Sequence, residues 1–211
     1  MMGAVGKTRG KRGRADAVGA VLAGGAGERL GEPKPLADLG GRPLIEHAVS
    51  SVVAAGLEPL IVAKPSSSLP EISGSGILAR IVREPESPRH PLLGIVTALR
   101  EAGDRPAIVL ACDLPFVPPR LLAWLAEQPE PLIVCEAGGR LHPLVGRYRP
   151  SLRGELAAAL ERGDSVQGAV LGLEPRIAGA AELSRFGAPE RILFNVNTPQ
   201  DLDRAARLLE T

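Results

Sequence analysis

The sequence predicts an α/β sandwich with a mostly parallel sheet, on three observations. Short apolar runs alternate with segments of helical periodicity, the connections between them are short, and 25 glycines and 20 prolines in 211 residues punctuate the boundaries. Parallel neighbours need crossovers, and alternating helices supply them. Val18 to Ala23 (VGAVLA) is a continuous apolar run ending at Gly24-Gly25, as expected of a buried strand running into a glycine loop. Pro43 to Ala55 carries apolar residues at helical spacing, with Pro near its start and Gly56 beyond its end, and predicts a helix. Pro59 to Ala63 and Leu78 to Val82 follow as strands, separated by a loop or short irregular helix over Lys64 to Gly76. Leu92 to Ala102 predicts a helix closed by Gly103, and Ala107 to Cys112 (AIVLAC) a third buried strand. Pro118 to Glu127 is the next helix, Leu132 to Cys135 and Leu144 to Tyr148 are strand-like, and Leu152 to Leu160 is helical. Ile192 to Val196 is expected as a late strand, an antiparallel addition to the sheet, before a closing helix from Pro199 to Leu209 with Leu202, Ala205, Ala206 and Leu209 on one face.

Composition narrows the function. Apolar residues make up 45% and charged residues 23%, ordinary globular values that exclude wholesale disorder. Aromatics are only 2%, too few for stacking platforms that hold single-stranded nucleic acid. The net charge of +1 is unevenly placed: residues 1 to 14 hold Lys7, Arg9, Lys11, Arg12 and Arg14 and no acid, which leaves 20 basic against 24 acidic groups elsewhere. A basic tail on a mildly acidic body argues against nucleic acid as a partner, because a nucleic-acid footprint belongs on the folded surface. The expected organisation is a flexible basic tail over residues 1–15 and one domain over 16–211. The tail has no apolar run of a secretory signal, and no stretch approaches a membrane span, so a cytoplasmic protein is expected. Cys112 and Cys135 lack the spacing of a metal or redox motif and are expected to be reduced, structural thiols.

In open α/β sheets ligands bind beyond the carboxyl ends of the strands, so residues that follow each strand are the first candidates. Leu22-Ala23-Gly24-Gly25-Ala26-Gly27-Glu28-Arg29, leading to Lys34, combines glycines that let amides approach an anion with two cations that neutralise it. This is a phosphate cradle or, alternatively, a glycine-rich turn with solvated charges. Leu30 removes the last glycine of the dinucleotide fingerprint, which argues against a nicotinamide-dependent dehydrogenase, and no Gly-Lys-Ser/Thr follows for a P-loop. Asp113 directly follows a buried strand, where Asp is a poor strand former; it is a candidate Mg2+ ligand or a turn residue. Asn195 and Asn197 share one face just before Thr198, a helix cap, and are candidates for a polar pocket that helps ligate phosphate or metal. His142, before Pro143, is either a substrate contact or a structural histidine.

The blocks LAGGAGERLGEPKPL, ACDLPFVPP, HPLVGRY and FNVNTPQDL, in that order, resemble the molybdenum cofactor guanylyltransferases, and they span nearly the whole body from Val18 to Leu209. The resemblance implies a Rossmann-like three-layer sandwich of the nucleotide-diphospho-sugar transferase type. It also implies an enzyme that transfers GMP from GTP to molybdenum-molybdopterin with Mg2+ as cofactor, and molybdoenzyme chaperones as further candidate partners. Relatives that use CTP more often carry LAAG in the first block, so Gly24 favours guanine. Carried over by position, nucleotide binding falls on Leu22, Ala23, Gly24, Gly25, Gly27, Lys34, Glu84, Gly94 and Asp113, and metal binding on Asp113. Lys34, Asp113 and Arg29 are the expected catalytic residues, with His142, Asn195 and Asn197 toward the acceptor. The sequence departs from the family pattern at Glu84, where an Asp is usual, at His90 in place of Gly, and at Ala63-Lys64, where an Asn of the guanine pocket would stand. Arg29 keeps the charge of the family's S-x-R-M, but the hydroxyl is lost. The alternatives are a sister nucleotidyltransferase using CTP or another phosphorylated acceptor, and a nucleotide-binding regulator without catalysis.

Overall fold

A computed structural model describes residues 16–24, 30–70 and 78–210. The basic tail, Gly25, Gly27 and Arg29 therefore lie outside the described residues. Among the described residues seven strands form one sheet: β1 (Val18–Leu22), β2 (Glu58–Ala63), β3 (Arg80–Arg83), β4 (Ala107–Ala111), β5 (Leu132–Ala137), β6 (Arg140–Tyr148) and β7 (Arg176–Ala178). Their order is β3-β2-β1-β4-β6-β5-β7. Every pairing is parallel except those of β6 with β4 and with β5. The expected α/β class with a mostly parallel sheet is thus observed.

The helices cover both faces. α1 (Leu44–Ala54) and α3 (Pro119–Glu127) bury Ile45, Val49, Leu121 and Leu125 against Val21, Ile61, Leu110 and Ile133. α2 (Pro91–Ala102) and α4 (Arg153–Arg162), with α5 (Val166–Leu171), bury Leu92, Ile95, Leu99, Leu156 and Val170 against Leu60, Val109 and Val134 on the other face. Alternation along each strand divides the side chains between two cores, which is why β1 and β4 are apolar throughout and β2 is apolar and buried from Leu60 to Ala63. Each fully buried Leu, Ile or Val contributes about 1.5–3 kcal/mol. Tyr148 is also buried, its hydroxyl donating to the Pro143 carbonyl at 2.6 Å.

The expected strand over Ile192 to Val196 does not form. Ile192 ends a short helix, α7 (Pro189–Ile192), which follows another, α6 (Ala180–Leu183), and the next residues run irregularly to α8 (Pro199–Leu209). The apolar residues here serve two cores: Ile192 and Leu193 join the core that α1 and α3 cover, whereas Phe194 and Val196 turn to a third cluster with Leu30, Leu39, Leu44 and Ala205. A strand would have to present them in alternation to one sheet. The antiparallel member of the sheet is instead β6, four residues longer than its expected Leu144 to Tyr148 core. β7, at three residues, is too short to carry a sequence signal.

From β1 the chain moves outward through β2 to β3, then returns to the other side of β1 as β4. This reversal between β1 and β4 opens a crevice at the carboxyl rim of the sheet, the place where doubly wound folds bind ligands.

Candidate active site

A cleft of about 350 Å3 opens at that rim. Four strands deliver their carboxyl ends to the walls: Leu22 of β1 and Gly24 beyond it, Val62 of β2 and Lys64 beyond it, Glu84 after β3, and Ala111 of β4 followed by Cys112 and Asp113. The first turn of α2, with His90, Pro91 and Gly94, completes the enclosure together with Lys34, Arg89 and Leu144.

Two polar clusters meet there. The first joins residues far apart in sequence. Lys34 lies on a single 3-10 turn (Lys34–Leu36) between prolines 33 and 35, and its Nζ donates to Asp113 Oδ2 at 2.7 Å and to Asn197 Oδ1 at 2.5 Å. Asp113 is fixed by its own backbone, since its carbonyl accepts from Val196 N–H at 2.9 Å and the preceding Cys112 N–H donates to Leu22. Asn197 is held by the cap of α8. Asp201 Oδ2 accepts from the Asn197 and Thr198 amides, while the Thr198 hydroxyl accepts from the Asp201 amide in a reciprocal box. Burial works against ionisation of Asp201, but the Thr198 hydroxyl and the two amides outweigh it and hold the carboxyl below its usual range. Asp113 Oδ1 and Asn195 Oδ1 are buried and have no hydrogen-bond partner among the described residues.

The second cluster is an ion pair in the interior. Lys64 and Glu84 are only 3% and 4% exposed, and Lys64 Nζ stands 3.2 Å from Glu84 Oε1. The same ammonium donates to the Pro85 carbonyl at 2.6 Å and the Pro88 carbonyl at 3.0 Å. Glu84 Oε2 has no partner among the described residues. Burial pushes the Glu84 carboxyl upward, opposed by the hydrogen bond and charge of Lys64. Glycines flank this carboxylate: a Cβ at Gly24 would lie 2.9 Å from Oε1, and one at Gly94 would lie 3.7 Å from Oε2 and 3.1 Å from Leu22 Cδ1.

Of the residues singled out in the sequence, Lys34 contacts both Asp113 and Asn197, and Gly24, Glu84 and Gly94 share the cleft wall. His142 lies on β6 two residues from Leu144 and does not line the cleft; it is half-buried, and burial followed by the Arg140 charge lowers its pKa. His90 instead caps α2, its Nδ1 accepting from Leu92 N–H at 3.2 Å. Lys64 and Arg89 are cleft residues that site reasoning missed. Lys64 does stand at a strand exit, the signal by which Asp113 was found. Asp201 was legible only as part of a cap sequence. Cys112 and Cys135 are free, buried thiols, their pKa values raised by burial, in agreement with the structural role expected.

The model of the MobA-like NTP transferase domain matches residues 19–175 of this chain, a span that takes in all the residues lining the cleft but not Asn195, Asn197 or Asp201. The chain belongs to this family. It is a nucleotidyltransferase. It is similar to a molybdenum cofactor guanylyltransferase of Cereibacter sphaeroides, 38% identical over 90% of this chain and 96% of the relative. A probable molybdenum cofactor guanylyltransferase of Carboxydothermus hydrogenoformans is 31% identical over 90% and 94%. Among solved structures, the molybdopterin-guanine dinucleotide biosynthesis protein A of Archaeoglobus fulgidus superposes with a TM-score of 0.73 at 27% identity, covering 91% of this chain and 98% of that one. A 2-C-methyl-D-erythritol 4-phosphate cytidylyltransferase from Thermus thermophilus, at 21% identity and a TM-score of 0.65, shares the fold. Among the described residues no helix is long and apolar enough to cross a membrane.

Proposed function

We propose that this chain transfers GMP from GTP to molybdenum-molybdopterin, forming the molybdopterin guanine dinucleotide and releasing pyrophosphate. Two kinds of support converge. Full-length relatives at 38% and 31% identity carry the name of that activity. The single structural observation that carries the reading is the joining, in one cleft, of a cation-carboxylate-amide cluster suited to phosphates with a buried carboxylate whose second oxygen has no partner among the described residues.

The reaction needs no protein nucleophile. An oxygen of the acceptor's terminal phosphate forms a bond to the α-phosphorus of GTP, and the bond from that phosphorus to the α,β-bridging oxygen breaks in line, with pyrophosphate leaving. The acceptor phosphate is largely ionised near neutral pH, so no general base is required. Lys34 Nζ, which pairs with Asp113 and Asn197, sits where a triphosphate would draw it away, placing a positive charge on the oxygens that gain negative charge as pyrophosphate departs. Asp113 and the Asn195-Val196-Asn197 segment are tied together by the Val196 amide, so the phosphate end is positioned before substrate arrives.

Asp113 Oδ1 and Asn195 Oδ1 are hard oxygen donors, buried and unpartnered among the described residues, and they fit Mg2+. No group of three or more His, Cys, Asp or Glu there is placed to hold a metal, so phosphate oxygens and water would complete the coordination. Bound there, Mg2+ supplies charge neutralisation to the triphosphate. At the other end Glu84, as acceptor, suits the N–H edge of guanine. A cytoplasmic location belongs to the same proposal.

The test is pyrophosphate release by the purified chain with GTP, CTP, ATP or UTP, each with and without molybdenum-molybdopterin. Release with GTP and acceptor together is the expected result. Turnover with CTP alone, or GTP binding without turnover, overturns the reading.

A further inference from the structure

The Lys64-Glu84 pair lies in the wall of the cleft, and its hydrogen-bond arithmetic is informative. An ammonium has three donors. Lys64 directs Nζ to three acceptors, Glu84 Oε1 and the Pro85 and Pro88 carbonyls, so it has none left for a nucleotide. Glu84 has an unpartnered oxygen, Oε2, beside Gly94 in the cleft wall. The acceptor that faces the cleft is therefore Glu84, and Lys64 acts through it.

We propose that Lys64 is a positioning residue that sets nucleotide selectivity, fixing Glu84 in its ionised form so that the carboxylate matches guanine and mismatches cytosine and adenine. The base edges explain the direction. Guanine presents two adjacent donors, N1–H and the 2-amino group, which complement a carboxylate's two acceptors. Cytosine and adenine present an acceptor nitrogen beside an amino donor, which complements a protonated carboxyl, one O–H donor beside one acceptor. Burial favours that protonated form, and Lys64 is the cation in contact that opposes it. Among the described residues, the other charged or titratable groups around the pair are Arg83, whose guanidinium donates to the Lys64 carbonyl at 2.6 Å, Glu86 beside Glu84, and Arg89, His90, Lys34 and Asp113, which line the same cleft. This inference rests on the guanylyl reading.

The test is nucleotide affinity, measured for GTP and CTP between pH 6 and 8.5 on the full chain. The ratio of the two affinities cancels titration of phosphates and of the phosphate end of the site. Wild-type protein is expected to prefer GTP with a ratio constant across this range. Lys64→Met is expected to lower the GTP:CTP ratio about tenfold or more at pH 6, the loss of one charge-assisted hydrogen bond, with recovery toward pH 8.5 as Glu84 ionises. Lys64→Arg, which retains the cation, restores selectivity. A ratio unchanged in Lys64→Met, or equal weakening of both nucleotides at every pH, means that Lys64 only braces the 85–88 connection and overturns the inference while the guanylyl reading stands. Wild-type protein that does not prefer GTP overturns that reading instead, and this inference with it. Should Lys64→Met fail to fold, Glu84→Gln decides: its amide carries a donor beside an acceptor, and a lowered ratio independent of pH is expected, whereas an unchanged ratio refutes the proposal.

Discussion

Gly24→Ala is a small perturbation that reaches the Glu84 carboxylate, the proposed contact for the base. The added Cβ falls 2.9 Å from Glu84 Oε1, and ordinary contact begins at 3.4 Å, so the carboxylate must retreat by about half an ångström. A free carboxylate would do so at little cost, but Oε1 is held 3.2 Å from Lys64 Nζ, and Nζ is held in turn by two carbonyls. Stretching the pair to about 3.7 Å at an effective dielectric of about 20 removes roughly 0.7 kcal/mol of attraction. Replacing Gly by Ala lowers the entropy of the unfolded chain and returns about 0.4–1 kcal/mol, so the melting temperature should stay within about 3 °C of wild type. On the proposed reading recognition should suffer more, because a charge-assisted hydrogen bond between Glu84 and the base would be worth about 1.5–3 kcal/mol and is sensitive to direction. GTP affinity should fall about tenfold or more in titration calorimetry, with CTP affected much less. GTP affinity within twofold of wild type in a protein of unchanged melting temperature would refute the argument that Gly24 keeps Glu84 in place.

Four further outcomes are expected. Asp113→Asn should reduce pyrophosphate release at least about 100-fold with little change in melting temperature, since the residue contributes charge at the site and its backbone contacts survive; near-normal turnover removes it from the mechanism. Lys34→Ala should raise KM for GTP and lower kcat together, because the ammonium would meet phosphates in ground and transition states alike, and steady-state kinetics decide this. Asp201→Ala should cost about 0.5–2 kcal/mol of stability through the lost cap and slow turnover besides, because the amide that fixes Asn197 loses its acceptor; denaturant unfolding and the transfer assay measure the two effects. For His142 the folded pKa lies below the ordinary 6.5, so the native state binds fewer protons; the contribution is fully present above that value and is lost as pH falls through it. Thermal unfolding from pH 7.5 to 5 should therefore lose stability less steeply in His142→Asn, and identical slopes refute the assignment.

Local chemistry was legible wherever a residue's role is written in its neighbours. The apolar runs of β1 and β4, the glycine after α2, and the Thr198-Pro199 start of α8 all announce themselves within a few residues. Lys34, Asp113 and Asn197 could each be singled out, but not their contact, which depends on how β1, β4 and the approach to α8 are arranged. Lys64 shows the converse: sequence displays its charge, while its burial against Glu84 and two carbonyls is a property of the assembled fold. The stretch from Ile192 to Val196 misleads for a related reason, since hydrophobicity says that a side chain is buried and is silent on which core receives it.

The span of the Lys34 cluster also bears on the order in which the molecule is built. Its two hydrogen bonds close intervals of 79 and 163 residues, so both depend on contacts of long range. Loop-closure entropy grows only slowly with such lengths, but it must be met before the bonds repay it, and high contact order delays formation. The half-sheet of β1, β2 and β4 can pair once the chain through Ala111 is available, whereas Asn197 follows well after it. A chain emerging from the ribosome would thus hold a nearly finished crevice in which the Lys34 cluster is incomplete, and on the proposed reading it would acquire nucleotide affinity only after Asn197 has emerged.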